Sequence, residues 1–163
     1  NTETLKKEFL KVAAIAGVDL PKTALSVDLR PAPHKASALP TGKMAVYVFS
    51  LKGRCLKVGK VGPKSRARYA SQHYSCKSSN SNLAKSLLSA CSEASFSGFS
   101  ETGAGEWIRS NVDRVNFLLD ASWGVHVLTL LESFLQCRLK PRFEGFESQR
   151  WIVAEQIVGP ERG

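Results

Sequence analysis

Tyr47 and Lys57 lie on two short runs of alternating residues, Met44 to Ser50 and Cys55 to Val58, that read as the arms of a β-hairpin. A phenol beside an ammonium on adjacent strands does one of two things. Either the lysine stem packs on the ring as an ordinary cross-strand pair, or the cation favours the phenolate and lowers a pKa that is otherwise near 10. The second arrangement would turn a poor base into a usable one. Glu132 is the other residue out of place. It falls in the stripe of Val125, Leu128, Leu135 and Leu139 on a long predicted helix. An unpaired buried carboxylate is costly, so Glu132 needs either a partner or a rim position where it reaches solvent or an arginine.

The elements around these residues follow from pattern. Met44, Val46, Val48 and Ser50 alternate against Ala45, Tyr47 and Phe49, and Leu56 and Val58 against Cys55 and Lys57; period two with β-branched and aromatic residues predicts strands. Lys52-Gly53 supplies the turn. After Gly62-Pro63 a helix is expected from Pro63 or Ser65, then a serine-rich polar loop and a short helix capped by Asn82. A helical turn follows at 105–111, a third strand at 113–120, and the long helix from a Ser122 cap to about Arg138. Ahead of the hairpin, Leu5, Phe9, Val12, Ala13 and Ala16 share one helical face that Gly17 ends. Residues 18–41, with Pro21, Pro31, Pro33 and Pro40, read as an irregular wrapping arm. The resulting expectation is an α+β fold: a small central sheet, an antiparallel hairpin plus a further strand, flanked by helices. Residues 1–41 form an N-terminal helix and arm, expected to dock on the core or on a second subunit, and 42–163 the main domain.

Composition narrows the partners. The chain has 163 residues with 23 Lys and Arg against 14 Asp and Glu, a net charge of +9. That sign favours a polyanion, nucleic acid ahead of an anionic membrane. No apolar run approaches the roughly 20 residues that span a bilayer, so no membrane role is expected. Cys55, Cys76, Cys91 and Cys137 are too widely spaced for a CxxC pair, and His34, His73 and His126 offer no zinc spacing. Free thiols and a cytoplasmic setting are the expectation.

Taken in order, these segments resemble the GIY-YIG nuclease family over roughly residues 44 to 147. Ala45-Val46-Tyr47 stands where that family carries its first triplet, and Lys57-Val58-Gly59-Lys60 where it carries the second. The helix at "SRARYASQHY" stands where the family's catalytic arginine lies, and Glu132 where its metal-binding glutamate lies, with Pro141 nine residues on. The chain departs in having Lys57 for the second motif's tyrosine, as some restriction-type members do, and Glu144 near the expected asparagine.

The resemblance implies a metal-dependent endonuclease that hydrolyses phosphodiester bonds, with DNA the expected substrate, a restriction or defence setting, and 5′-phosphate and 3′-hydroxyl products. Tyr47 would be the general base and Lys57 its activator or a phosphate contact. Arg68 would hold the non-bridging oxygens bidentately, with Arg66 the alternative, since 100° per residue puts the two on different faces. His73 would bind phosphate or shuttle a proton, or else be a surface histidine. Glu132 would hold Mg²⁺, with Mn²⁺ substituting. Lys60, Lys64, Arg66 and Lys77 would line the approach of the nucleic acid or form a plain solvated basic face, and Arg142 would orient phosphate. Trp107, Trp123 and Trp151 are stacking platforms or buried core. A homodimer or larger assembly is open. The alternatives are a catalytically inactive nucleic-acid-binding module on the same scaffold, and a protein-interaction domain whose charge is incidental.

Overall fold

Six consecutive residues of one strand, Met44 to Phe49, are buried, so the sheet must be covered on both faces. The computed structural model describes residues 1–35, 37–78 and 82–143. Its elements run α1 (Thr2–Ile15), β1 (Leu25–Arg30), β2 (Lys43–Leu51), β3 (Arg54–Val61), α2 (Arg66–Ala70), α3 (Leu83–Ser89), α4 (Ala104–Asn111), β4 (Asp113–Asp120) and α5 (Gly124–Leu139). The strands form one antiparallel sheet in the order β1-β4-β2-β3. The fold is α+β, a small sheet flanked by helices.

Alternation along β2 sorts its side chains between two cores. Met44, Val46 and Val48 join Val58, Phe117 and Leu119 beneath α1 and α5, against Phe9, Ala13, Leu128, Leu131 and Leu135. Ala45, Tyr47 and Phe49 join Leu56 and Val61 on the opposite face, against Leu83, Leu87, Phe96 and Ile108 of the α2–α4 side. The hairpin turns through Lys52 at φ 49° and Gly53 at φ 78°, the paired positive φ values of a tight two-residue turn. Asn82 caps α3, accepting from the Lys85 amide at 2.8 Å, and Gly17, at φ 79°, ends α1 as expected. The four cysteines are free thiols. Among the described residues no helix is long and apolar enough to cross a membrane.

Four expectations need correction. Leu25–Arg30, read as irregular arm, is an edge strand paired along its length with β4. The prolines that suggested otherwise flank the strand and leave its amides free to bond. Leu56 and Val58 face opposite sides, because an irregularity between Phe49 and Ser50 pairs Ser50 with Cys55 and Phe49 with Lys57, leaving Leu56 as the extra residue of a bulge. On α5, Leu128 and Leu135 are buried and Leu139 packs on the core as expected, but Val125 is 56% exposed and Val127 and Leu131 take up the core instead. That helix starts at Gly124, after a short 3₁₀ turn over Ala121–Trp123, with no side-chain cap from Ser122.

The N-terminal helix shares the core of the sheet. Phe9 and Ala13 are fully buried in it, and Arg138 on α5 bonds Glu8 at 3.0 and 3.1 Å. Phe9→Ala is therefore expected to cost about 3–5 kcal/mol, read as a lowered urea midpoint of the full chain. An appended arm outside the cooperative fold would leave that midpoint unchanged.

Candidate functional site

Tyr47 stands directly opposite Gly59 on β3 and Asn116 on β4. Its ring lies across the glycine: a Cβ on residue 59 would fall 2.7 Å from Tyr47 Cζ and closer still to the hydroxyl. A missing side chain on β3 thus lets the phenol cross that strand, and beyond it Arg68 Nε donates to Tyr47 Oη at 3.4 Å, a long hydrogen bond. Arg68 arrives from α2, the five-residue helix that follows the hairpin. Lys57 is not the residue directly across from Tyr47. It is buried and pairs with Phe49, one row along the sheet, because facing residues in a hairpin are fixed by register.

The electrostatics also differ from expectation. Burial raises the Tyr47 phenol above its ordinary value; Arg68, by charge and hydrogen bond, opposes this and Arg114 adds to that opposition, while Glu132 raises the phenol further. The net direction is up, so the resting hydroxyl is neutral at neutral pH. The Arg68 guanidinium is in turn raised by Tyr47 and by Glu132. Phenol, guanidinium and carboxylate therefore sense one another across the β3 edge of the sheet.

Glu132 reaches that edge from α5, on the opposite face. Its side chain is 17% exposed and its Oε2 accepts from Lys60 Nζ at 2.6 Å. Lys60 pairs with Val46 in the β2–β3 register, which sends its side chain toward the α5 side. The stripe carboxylate thus has a partner, and it is a lysine assigned from sequence to the nucleic-acid approach. Among the described residues no group of three His, Cys, Asp or Glu side chains converges on a metal position. A single, partly exposed carboxylate is a donor set that fits a hard divalent cation retaining most of its waters.

The other predicted residues separate. His73 is fully buried and no surface histidine. Its Nδ1 accepts from the Leu83 amide at 3.2 Å, at the start of α3, which leaves the ring proton on Nε2. Its ring meets Tyr47 edge-on at 4.5 Å between centroids. Burial, then the charges of Arg114, Lys57 and Arg68, hold its pKa well below the usual histidine value, so it is a neutral wall of the site whose Nε2 has no hydrogen-bond partner among the described residues. Arg142 forms an ion pair with Glu93 and lies over Phe96 and Phe143. Its amide bonds Cys55 O at 3.1 Å, and Gly59 is four residues further along β3, about 13 Å at strand rise. Lys64 and Lys77 are exposed. Trp107 bonds Ser97 O at 3.0 Å and packs on Phe96 and Phe99, while Trp123 packs against the α1–α5 core. Arg66 opens α2, and its side chain lies outside the described residues, as do Glu144 and Trp151.

Sequence reading missed the polar groups under this site. Arg114 is 1% exposed and bonds Asn116 Oδ1 at 2.8 Å, Tyr74 Oη at 3.0 Å and Tyr69 O at 2.9 Å. Tyr74 Oη lies 2.9 Å from His34 Nε2, and Asn116 Nδ2 donates to Asp28 at 3.1 Å. In the linear pattern Arg114 and Asn116 alternate with Val115 and Phe117 like a solvent-facing polar row. Only the presence of α2 and Tyr74 above them makes them core.

Comparisons with models of known families, with curated proteins and with solved structures find no match to this chain.

Two outcomes follow from this geometry. Gly59→Ala should cost about 1–3 kcal/mol by overpacking, and most of that cost should vanish in a Tyr47→Ala background. A thermodynamic cycle from urea melts measures the coupling, and strictly additive effects would contradict the crossing of ring over glycine. His73 and His34 are both held neutral by burial. Their contribution is complete above the unfolded histidine pKa, about 6.5, and is lost as pH falls through it toward the folded values. The urea midpoint should therefore drop between pH 7 and 5, and less steeply in His73→Gln, whose side-chain oxygen can keep the Leu83 amide bonded.

Proposed function

We propose that this chain is a phosphodiesterase of the GIY-YIG type, a metal-dependent endonuclease acting on nucleic acid, with DNA its substrate and restriction or defence its setting. The observation that carries the reading is the Tyr47 hydroxyl, passed over Gly59 to the Arg68 guanidinium at 3.4 Å within electrostatic range of Glu132. A tyrosine kept only for packing has no need of a glycine beneath its ring or an arginine at its tip. In this reading water attacks phosphorus, the phenolate fraction of Tyr47 takes the proton of that water, and Arg68 stabilises the charge that gathers on the non-bridging oxygens. Arg68 also opposes the effect of burial on the phenol. A divalent cation held by Glu132 would neutralise charge on the departing 3′ oxygen. The +9 net charge, with Lys64 and Lys77 exposed on the α2–α4 side, supports a polyanionic substrate and salt-dependent binding.

One observation favours a second reading. Lys60 bonds Glu132 at 2.6 Å, and a carboxylate satisfied in this way has less need of a metal. That is what a nucleic-acid-binding module without catalysis would retain.

The experiment offers labelled single- and double-stranded DNA and RNA with Mg²⁺, beside Glu132→Gln, Tyr47→Phe and Arg68→Ala. Each variant should stay folded and lose cleavage by about 10²–10⁴-fold. Because the phenol is raised, the wild-type rate should climb with pH through the neutral range and into the alkaline, as the phenolate fraction grows. Lys57→Ala should move that limb less than Arg68→Ala, since Arg68 is the cation on the hydroxyl. Salt-sensitive binding with no cleavage under any metal would establish the binding module instead.

A further inference from the structure

We infer that Arg114 is the positioning residue that seats α2, and with it Arg68, against the Tyr47 hydroxyl, an inference that rests on the site reading above. Five residues make an α-helix far too short to persist by itself. Ser65, at its N-cap position, makes no side-chain capping bond. At its other end the Ala67 carbonyl is taken by the Ser71 amide and hydroxyl, at 2.9 and 3.1 Å. The Tyr69 carbonyl accepts from the Arg114 guanidinium at 2.9 Å. A cation set at the carbonyl end of a helix satisfies an otherwise orphaned group and complements the local dipole.

The same guanidinium reaches further. It lies 4.4 Å from the Tyr69 ring centroid and donates to the Tyr74 hydroxyl at 3.0 Å. Tyr69 and Tyr74 bracket the stretch that holds His73, whose ring borders Tyr47 edge-on. Asn116, directly across from Tyr47, fixes the guanidinium from below through Nε at 2.8 Å. One planar group on β4 therefore ties both segments that flank the phenol to the strand adjacent to it. A lysine could supply the charge, but its donors all sit on one nitrogen, whereas the guanidinium reaches the three acceptors from Nε, Nη1 and Nη2.

The test compares wild type with Arg114→Met and Arg114→Lys by amide hydrogen exchange of the full chain, without substrate. Exchange across residues 66–74 should speed up by about tenfold or more in Arg114→Met, with β2 and β4 protected as before, and Arg114→Lys should recover only part of that protection. In the cleavage assay kcat should fall in both variants while KM changes little, which a general loss of packing would not produce. Unchanged protection of 66–74 in both variants overturns the inference. If Arg114→Met fails to fold, Arg114→Lys and Tyr74→Phe are read in the same way, and a wild-type exchange pattern in both overturns it. Released α2 in a chain that cleaves no nucleic acid would sink the nuclease reading and leave the seating of α2 standing.

Discussion

A buried guanidinium with no carboxylate against it is expensive, and one face of this sheet is organised around making it tolerable. Arg114 is 1% exposed, and among the described residues no carboxylate lies within ion-pair distance of it. Stripping water from such a charge costs several kcal/mol unless neutral dipoles and aromatic faces replace it. Here they do: an amide oxygen, a phenol and a main-chain carbonyl accept from it, and the rings of Tyr69 and Phe49 lie within 4.4 and 5.2 Å. The groups that solvate Arg114 are thereby held in place by it. Asn116 passes the order on to Asp28, which also bonds Arg30 at 2.7 Å, so the polar row continues to the edge strand.

The sheet joins groups that approach from its two faces. Tyr47 belongs to the α2–α4 side and Glu132 to the α5 side, and the sheet between them would ordinarily keep them apart. They come within electrostatic range at β3 because it is an edge strand with a glycine where a side chain would block the phenol. Lys60, the next residue, points to the other face and takes the carboxylate. Two adjacent positions on one strand, Gly59 and Lys60, thus admit the phenol from one side and hold the carboxylate on the other.

Burial sets the chemical character of the site. The phenol and both buried histidines are all shifted toward their neutral forms by loss of water, while the permanent charge sits on arginine and lysine. The α2–α4 side of the sheet is consequently a neutral aromatic wall with Arg68 and Arg114 beside it. An anion is the ligand such a surface favours.

Much of this was readable from local pattern. The hairpin and its turn, the third strand, the Asn82 cap and the oddity of Glu132 all express preferences within a few residues, where backbone sterics and periodicity dominate. β1 was lost because the prolines around it outweighed a short alternation that only β4 could stabilise. The pairing of Lys57 with Phe49, the bulge at Leu56 and the Lys60–Glu132 bond depend on register and on which helix covers which face, neither of which is a local property. Arg114 is the clearest case. As letters it belongs to a polar row on a strand, and desolvation by elements far away in the chain makes it the centre of a core. The sequence by itself determined which residues could do chemistry, because side-chain type is local. Tertiary structure alone decided which of them meet and which are charged, because contact and dielectric are set by the whole fold.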